Sequence, residues 1–226
     1  PYTLTDFYFG YGGIVDVFRK DAQQWFRKVY REQIKNGVSG WWTDLGEPEK
    51  HPSDLYHNLK DFGFKRLFKA DEIHNIFGHY WNKMLYEHYQ QEHPDTSLNR
   101  SGYAGSPRYS IFPWTGDVSR SWNGLKAQLP ILLGMSVSGI PYIHSDAGGF
   151  AMTDKKDPEL YTRWLQLSAF SPVFRPHGTA LEADLQPSGT LSVESEPVFW
   201  PDSTKAIVKN LIQLRYDLTP YNYTLA

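Results

Sequence analysis

The sequence has 226 residues, of which 40% are hydrophobic and 21% charged, and these proportions are typical of a globular protein and not of a disordered chain. The net charge is −2, with Lys and Arg scattered, which gives no basic surface for nucleic acid or an anionic membrane. Because cysteine is absent, disulfide bonds, thiolate metal sites and a cysteine nucleophile are excluded.

The aromatic content is high, at 16% of the residues, with 8 Trp and 15 Tyr. Aromatic rings stack on the C–H faces of sugars, while indole N–H and phenol O–H groups bond to hydroxyls. Composition alone leaves two interpretations open, a carbohydrate site or a large aromatic core.

Predicted helices and strands alternate along the sequence. The first helix is amphipathic and leads into a short, bulky segment that resembles a buried strand. No repeat, low-complexity tract or linker interrupts the alternation. In chain order the predictions are a helix at Asp21–Lys35, a strand at Val38–Thr43, a helix at Asn75–Gln91, strands at Ser97–Ser101 and Tyr109–Trp114, a helix at Leu125–Val137 that is kinked or broken by Pro130, a strand at Ile140–Ser145, a helix at Pro158–Ala169, a short strand at Pro172–Arg175 and a helix at Thr204–Leu218.

This alternation predicts an α/β fold with parallel strands, of the (β/α)8 TIM-barrel type. We count about five strand–helix units, whereas a closed barrel needs eight. The sequence starts at Pro1 without an initiator Met or a signal peptide, and it ends at Ala226. We therefore expect residues 1–226 to be one piece of a catalytic barrel from a longer polypeptide.

Polar side chains follow the predicted strands, at the positions where β/α barrels gather their reacting groups. They are Asp44, Arg100, Asp117, Asp146 and His177. A pair of carboxyl groups suits the cleavage of a glycosidic bond, one attacking the anomeric carbon and the other protonating the leaving oxygen. Aromatic side chains flank these positions at Trp42, Trp114 and Phe150.

Each of these residues also has a purely structural interpretation. Asp117 after a strand is a candidate helix cap or turn residue, and Asp146 precedes two glycines as in a tight turn. Arg100 is a candidate structural ion-pair partner, and His177 a hydrogen-bonded imidazole without a catalytic role. The functional interpretation depends on their recurrence at the same structural position.

Several segments, taken together, resemble glycoside hydrolase family 31. Gly40–Pro48 (GWWTDLGEP) is similar to the family's nucleophile motif, and Arg100–Asp117 to its arginine and acid/base segments. Gly139–Phe150 and Phe174–Gly178 match two further blocks, and Arg215–Thr224 is similar to the last barrel helix. The blocks follow the family order from about Gly10 to the C-terminus.

The resemblance implies a retaining α-glycosidase that works by double displacement. Asp44 would be the nucleophile and Asp117 the general acid and base, while Arg100 and His177 would bind sugar hydroxyls. Arg100 would also favour the ionised form of Asp44. The remaining implied site residues are Trp42, Trp114 and Phe150 as walls of the donor site, Asp146 as a further substrate-binding residue and Glu47 in support.

The resemblance implies neither a metal nor a cofactor, so His51, Asp54 and His57 are interpreted as loop residues. The family's upstream aspartate and tryptophan, and its flanking β domains, are outside this sequence. We therefore expect an incomplete donor site and a fragment that is inactive alone.

Three further functions stay open beside an α-glucosidase. An α-glucosyltransferase shares the first chemical step, and an α-xylosidase differs in side chains that lie upstream. The third is an inactive carbohydrate-binding fragment. The expected partner is an α-linked oligosaccharide, with no nucleic acid or membrane, and the oligomeric state is open. A bacterial periplasmic or extracellular location is expected for the parent protein.

Overall fold

The structure, a computed structural model, describes residues 5–7, 10–89, 97–151, 153, 156–179 and 194–226. The chain forms two compact units, of which the first ends at Pro113 and the second begins at Trp114. None of the described helices is long and apolar enough to cross a membrane.

The first unit opens with an antiparallel hairpin of β1 (Thr5–Phe7) and β2 (Gly10–Gly12). Helix α1 (Lys20–Lys35) follows and then strand β3 (Trp41–Thr43). The chain turns between them at Gly37, whose φ of 93° is a conformation that favours glycine. The prediction of a helix and a strand in this region is confirmed, but the strand is shorter than predicted and is not fully buried, since Trp42 is 44% exposed.

The first unit contains a three-stranded parallel sheet in the order β3–β6–β7. Strand β6 is Ser97–Asn99 and strand β7 is Ile111–Pro113. In the register of the sheet, Thr43 aligns with Asn99, and Asn99 aligns with Pro113. Asp44 and Arg100 come directly after β3 and β6, so the register places both at the carboxyl edge of one sheet.

A second hairpin and a long helix lie between β3 and β6. Strands β4 (Tyr56–Asn58) and β5 (Leu67–Lys69) pair antiparallel, and α2 (Ala70–Tyr89) begins where β5 ends. Glu72 accepts a hydrogen bond from the Lys69 backbone amide at 2.8 Å, which explains why α2 begins before the predicted Asn75. Ile73 and Phe77 on the apolar face of α2 form a core with Val17, Phe18 and Leu59.

The second unit is mostly helical. Its long helices are α3 (Trp122–Val137), α4 (Pro158–Ser168) and α5 (Asp202–Asp217), and α6 (Thr219–Leu225) ends the chain. Side chains at the N-terminal ends of two helices accept backbone hydrogen bonds, which fixes where those helices start. The two caps are Ser121, which accepts from Gly124, and Asp157, which accepts from Leu160.

Helices α4 and α5 pack together through a core that is rich in aromatic residues. The rings of Tyr161 and Trp200 stack with centroids 4.1 Å apart, and Trp164 in α4 is fully buried. Leu165 from α4 and Val208 from α5 complete this core without exposed surface. Since large apolar side chains contribute most to stability when fully buried, this cluster anchors the second unit.

Two predicted strands are wrong. Ile140–Ser145 and Pro172–Arg175 form no strand, and their regions contribute only the isolated parallel pairs Trp114–His144 and Ala147–Pro176. Proline lacks the amide hydrogen that a strand ladder requires, and Pro141, Pro172 and Pro176 interrupt both regions.

Several helix predictions differ at their ends, and α5 begins at Asp202 instead of the predicted Thr204. Helix α3 begins at Trp122 instead of Leu125, because Ser121 caps it, and the helix continues through Pro130. The predicted end of α2 at Gln91 lies outside the described residues. The two hairpins were not predicted, because a three-residue strand is too short to show an alternating pattern.

Candidate active site

Asp44 stands at the carboxyl end of β3 with its side chain 47% exposed. The Leu45 amide donates to Asp44 Oδ1 at 2.9 Å and orients the carboxylate. Leu45 has a φ of 56°, a left-handed conformation that is uncommon for a leucine and costs about 1 kcal/mol. The turn that presents Asp44 is thus held by the surrounding structure and not by local preference.

Arg100 is surrounded by three carboxylates of the β3–β4 loop, which we define as residues 44–55. Its Nε lies 2.5 Å from Glu47 Oε1 and 3.7 Å from Asp44 Oδ1. Its Nη2 lies 3.5 Å from Glu49 Oε2. The Arg100 side chain is only 13% exposed, so these charges interact in a partly desolvated place. Glu47 is the principal ion-pair partner of Arg100, and Asp44 sits just beyond hydrogen-bonding distance.

Helix α2 holds the segments that carry Asp44 and Arg100 at very close range. A Cβ atom added to Gly78 would lie 2.9 Å from the Gly46 carbonyl oxygen and 2.9 Å from Ser101 Cβ. A Cβ added to Gly46 would lie 2.7 Å from the Trp81 ring. These two glycines therefore set the distance between the helix and the loop.

We expect Gly78→Ala to destabilise the protein by about 1–3 kcal/mol, since the new methyl group must displace backbone and not only a flexible side chain. The same change at Gly134 in α3, where nothing lies within 4 Å, is the matched control. There the better helix propensity of alanine should stabilise by about 0.5–1 kcal/mol. Urea unfolding of both variants tests whether the two changes in the free energy of unfolding have opposite signs. A Gly78→Ala variant as stable as the wild type would contradict the close packing.

In the second unit, Trp114 and Asp117 lie on one short segment. Trp114 is 4% exposed and pairs in a parallel bridge with His144. The amide of Thr115 donates to the His144 carbonyl at 3.0 Å, and the chain then turns at Gly116, with φ of 78°. Asp117 follows this turn with an exposed side chain, which is the placement that a general acid needs to reach a leaving group.

Asp146 is completely buried and forms an ion pair with Arg175 Nη2. Arg175 Nε donates to His144 Nε2 at 3.4 Å, and its guanidinium lies 5.6 Å from the centre of the Trp114 ring. Arg175 thus links the buried Asp146 carboxylate to His144 and to the Trp114 ring. Its predicted contact with substrate stays a prediction, while its contact with Arg175 is direct.

Removal of Arg175, the ion-pair partner of the buried Asp146, should lower the stability of the protein. We expect Arg175→Met to lower the free energy of unfolding by about 3 kcal/mol, because the Asp146 carboxylate would stay buried without its cation. Arg163→Met, which breaks an exposed pair with Glu159 at 3.6 Å, is the control and should cost less than about 1 kcal/mol. Chemical denaturation compares the two, and equal effects would contradict the role given to burial.

Phe150 and His177 lie side by side in the second unit, with ring centroids 5.4 Å apart. The His177 amide donates to the Ala147 carbonyl at 3.3 Å. Buried Arg120 holds both segments, since it donates to the carbonyl of Gly149 at 2.8 Å and to that of Thr179 at 3.0 Å. The segments that carry Phe150 and His177 are therefore held by the guanidinium of Arg120.

The structure brings some of the predicted site residues together: Asp44 and Glu47 lie beside Arg100, and the rings of Phe150 and His177 lie beside each other. It also shows three residues that sequence reasoning did not single out, Arg175, Arg120 and Gly78. Arg175 lies in the segment Phe174–Gly178, two positions before His177, so the family resemblance of that segment could have identified it. Arg120 and Gly78 had none. The predicted site residues in the first unit are Trp42, Asp44, Glu47 and Arg100, and those in the second are Trp114, Asp117, Asp146, Phe150 and His177.

The interpretation of His51, Asp54 and His57 as loop residues needs one correction. His57 lies in β4 and is 1% exposed, and it is hydrogen bonded to His51 at 2.7 Å. Over the part of the chain that the structure describes, no group of three or more His, Asp or Glu side chains could hold a metal ion.

A protein-family comparison matches residues 3–225 to the model described as the glycosyl hydrolases family 31 TIM-barrel domain. This chain belongs to glycosyl hydrolase family 31. The predicted family and the predicted TIM-barrel fold are confirmed, and the parallel sheet of the first unit is part of an incomplete barrel.

Curated relatives and solved structures agree with the family 31 assignment. An α-glucosidase of Saccharolobus solfataricus is 31% identical over 93% of this chain and 33% of its own length. An α-xylosidase of the same organism is 31% identical over 92% of the chain and 28% of its length. A family 31 dextranase of Flavobacterium johnsoniae, solved with glucose, matches with a TM-score of 0.83 and 28% identity over 99% of this chain and 28% of its own. The chain thus spans a third or less of these relatives.

Proposed function

We propose that the protein containing this family 31 chain hydrolyses α-glucosides with retention of configuration, through a covalent intermediate on Asp44. Asp44 attacks the anomeric carbon while Asp117 protonates the leaving oxygen, and Asp117 then deprotonates the water that releases the sugar. Arg100 and His177 bind sugar hydroxyls, and Trp42, Trp114 and Phe150 form the walls. The named relatives act on carbohydrates, which supports a carbohydrate substrate.

The placement of Asp44 carries this proposal. Its carboxylate is exposed at the carboxyl edge of a parallel sheet, oriented by the Leu45 amide and 3.7 Å from the Arg100 cation. Because Glu47 takes the short contact with Arg100, Asp44 keeps an oxygen available for attack while a positive charge stays close. A residue used only as a turn former needs neither the cation nor the exposure.

The anomeric configuration of the first sugar released shows whether the reaction proceeds with retention. The natural protein, incubated with 4-nitrophenyl α-glucoside and monitored by proton NMR before mutarotation, should release α-glucose first. Release of β-glucose would overturn the retaining mechanism, and oligosaccharide binding without turnover would leave the carbohydrate-binding alternative. Oligosaccharides longer than the substrate would instead identify a glucosyltransferase.

An α-xylosidase is the second candidate, since the α-xylosidase relative is as similar as the α-glucosidase relative. The two activities share every step and differ only in the hydroxymethyl group on the sugar. The ratio of kcat/KM for 4-nitrophenyl α-glucoside and α-xyloside decides between them, and we expect it to favour the glucoside.

A further inference from the structure

His51, in the middle of the β3–β4 loop, uses both ring nitrogens in hydrogen bonds. Its Nδ1 lies 2.9 Å from His74 Nδ1 in α2, and its Nε2 lies 2.7 Å from His57 Nε2 in β4. One imidazole thereby ties the loop to a helix and to a hairpin.

The chain of histidines ends on a carboxylate. His57 Nδ1 lies 3.0 Å from Asp16 Oδ1, and Asp16 Oδ2 accepts from the Asn58 amide at 2.8 Å. Asp16 stands between β2 and α1, and the His57 side chain is 1% exposed. The series Asp16–His57–His51–His74, which we call the histidine chain, therefore joins four parts of the first unit.

The histidine chain has the geometry of hydrogen bonds and not of a metal site. Two imidazole nitrogens on one zinc ion, each at about 2.0 Å, lie roughly 3.3 Å apart in a tetrahedral site. The nitrogen separations here are 2.7 and 2.9 Å, and they involve different nitrogens of His51, so no single point is shared.

The proton count of the histidine chain follows from its contacts. Asp16 only accepts, so His57 Nδ1 donates to it, and each N···N contact holds one proton. The contacts stay satisfied with one additional proton on the three rings. A second additional proton would place two N–H groups face to face, and the chain would break.

His51 is the ring that resists protonation. Its burial, followed by the charges of His57 and His74, lowers the pKa of His51 to about 4 from the usual 6.5. The titratable groups that face it are His57 from β4 and His74 from α2, with Asp16 one hydrogen bond further.

We propose that His51 is a positioning residue for the nucleophile Asp44: the histidine chain fixes the β3–β4 loop, and with it Asp44 and the Glu47 carboxylate that holds Arg100. The inference depends on the proposed function of Asp44. The loop leaves β3 at Asp44, and a second carboxylate of the loop, Glu47, lies 2.5 Å from Nε of Arg100 and sets the position of its guanidinium. A loop that shifts at His51 shifts the nucleophile relative to the cation beside it.

The test compares His51→Leu with His51→Gln in the natural protein. Leucine removes both hydrogen bonds, and we expect kcat, normalised to the folded fraction, to fall roughly 10- to 100-fold with little change in KM. Glutamine keeps one donor and one acceptor, so its kcat should lie within about fivefold of the wild type. Asp54→Ala, an exposed change in the same loop, is the control for the loop itself.

A pH series adds a readout specific to the imidazole. Because the folded pKa of His51 is below its unfolded value, the unfolded state binds more protons between about pH 6.5 and pH 4. The stabilisation by His51 is complete above pH 6.5 and is lost as the pH falls through 4. We expect the unfolding equilibrium constant of the wild type to rise, relative to His51→Gln, by roughly two powers of ten across this window.

Hydrogen exchange separates this inference from the proposed function. His51→Leu should accelerate amide exchange about tenfold in residues 44–55, whether or not the protein is a glycosidase. Unchanged exchange there would overturn the positioning role. So would accelerated exchange with an unchanged kcat, or a glutamine variant as impaired as the leucine variant. A wild type without turnover on any α-glycoside would overturn the proposed function alone.

Discussion

Asp44→Asn should abolish turnover and leave the fold intact. The amide is a poor nucleophile, so no glycosyl-enzyme forms, and we expect kcat to fall by about 10⁴-fold or more. Since Asp44 is 47% exposed and asparagine Oδ1 can still accept from the Leu45 amide, stability should change by less than about 1 kcal/mol. Steady-state kinetics with maltose and thermal unfolding of the same sample check both parts.

The control for this variant is Asp54→Asn, which removes a carboxylate from the same loop at an exposed turn. It should retain nearly full activity. A second variant, Asp44→Gly, opens space beside the anomeric carbon, and added azide should restore turnover of an activated glucoside and give the β-glucosyl azide. Near-normal rates for Asp44→Asn would mean that another residue is the nucleophile.

Asp117→Ala should slow the enzyme in a way that depends on the leaving group. With maltose, whose leaving hydroxyl needs a proton, we expect kcat/KM to fall by about 10²- to 10⁴-fold. With a dinitrophenyl α-glucoside, which needs no proton, formation of the glycosyl-enzyme should slow by less than about tenfold. The alkaline limb of the pH profile of kcat/KM should disappear, because the group that must be protonated is gone.

The outcome that excludes this role for Asp117 is an equal loss for both leaving groups with an unchanged pH profile. A crystal structure of the natural protein adds a geometric criterion, because the carboxyl groups of a retaining pair lie about 5 Å apart. A separation of Asp44 and Asp117 well beyond about 9 Å would contradict the retaining pair.

The main elements of the first unit could be predicted from local patterns. The apolar periodicity of Asp21–Lys35 predicted α1, and the bulky residues after Gly37 predicted β3. When one face of a helix or strand is buried, apolar residues recur along the sequence with the period of that element, so the element can be recognised from consecutive residues. The hairpin of β4 and β5 shows no such recurrence, because its strands span only Tyr56–Asn58 and Leu67–Lys69.

The hydrogen-bond and ion-pair partners of polar side chains could not be predicted from local sequence patterns. Asp146 meets Arg175 and His51 meets His74 only after the intervening segments fold, and nothing in the local pattern selects one cation or imidazole over another. The predicted strand at Ile140–Ser145 shows the converse error, since its residues are β-formers but Pro141 removes a donor that the ladder requires.

Asp44 shows which properties of the site the sequence determines and which only the tertiary structure decides. The sequence by itself determined the family, the barrel fold and the identity of the candidate carboxylates, because the chemistry demands those residue types in segments that keep their order. Only the tertiary structure decided that Glu47, and not Asp44, takes the short contact with Arg100, and that His51 joins the loop to α2 and β4. The physical reason is that a hydrogen bond is set by distance and direction in space, which residues far apart in the sequence acquire only when the chain packs.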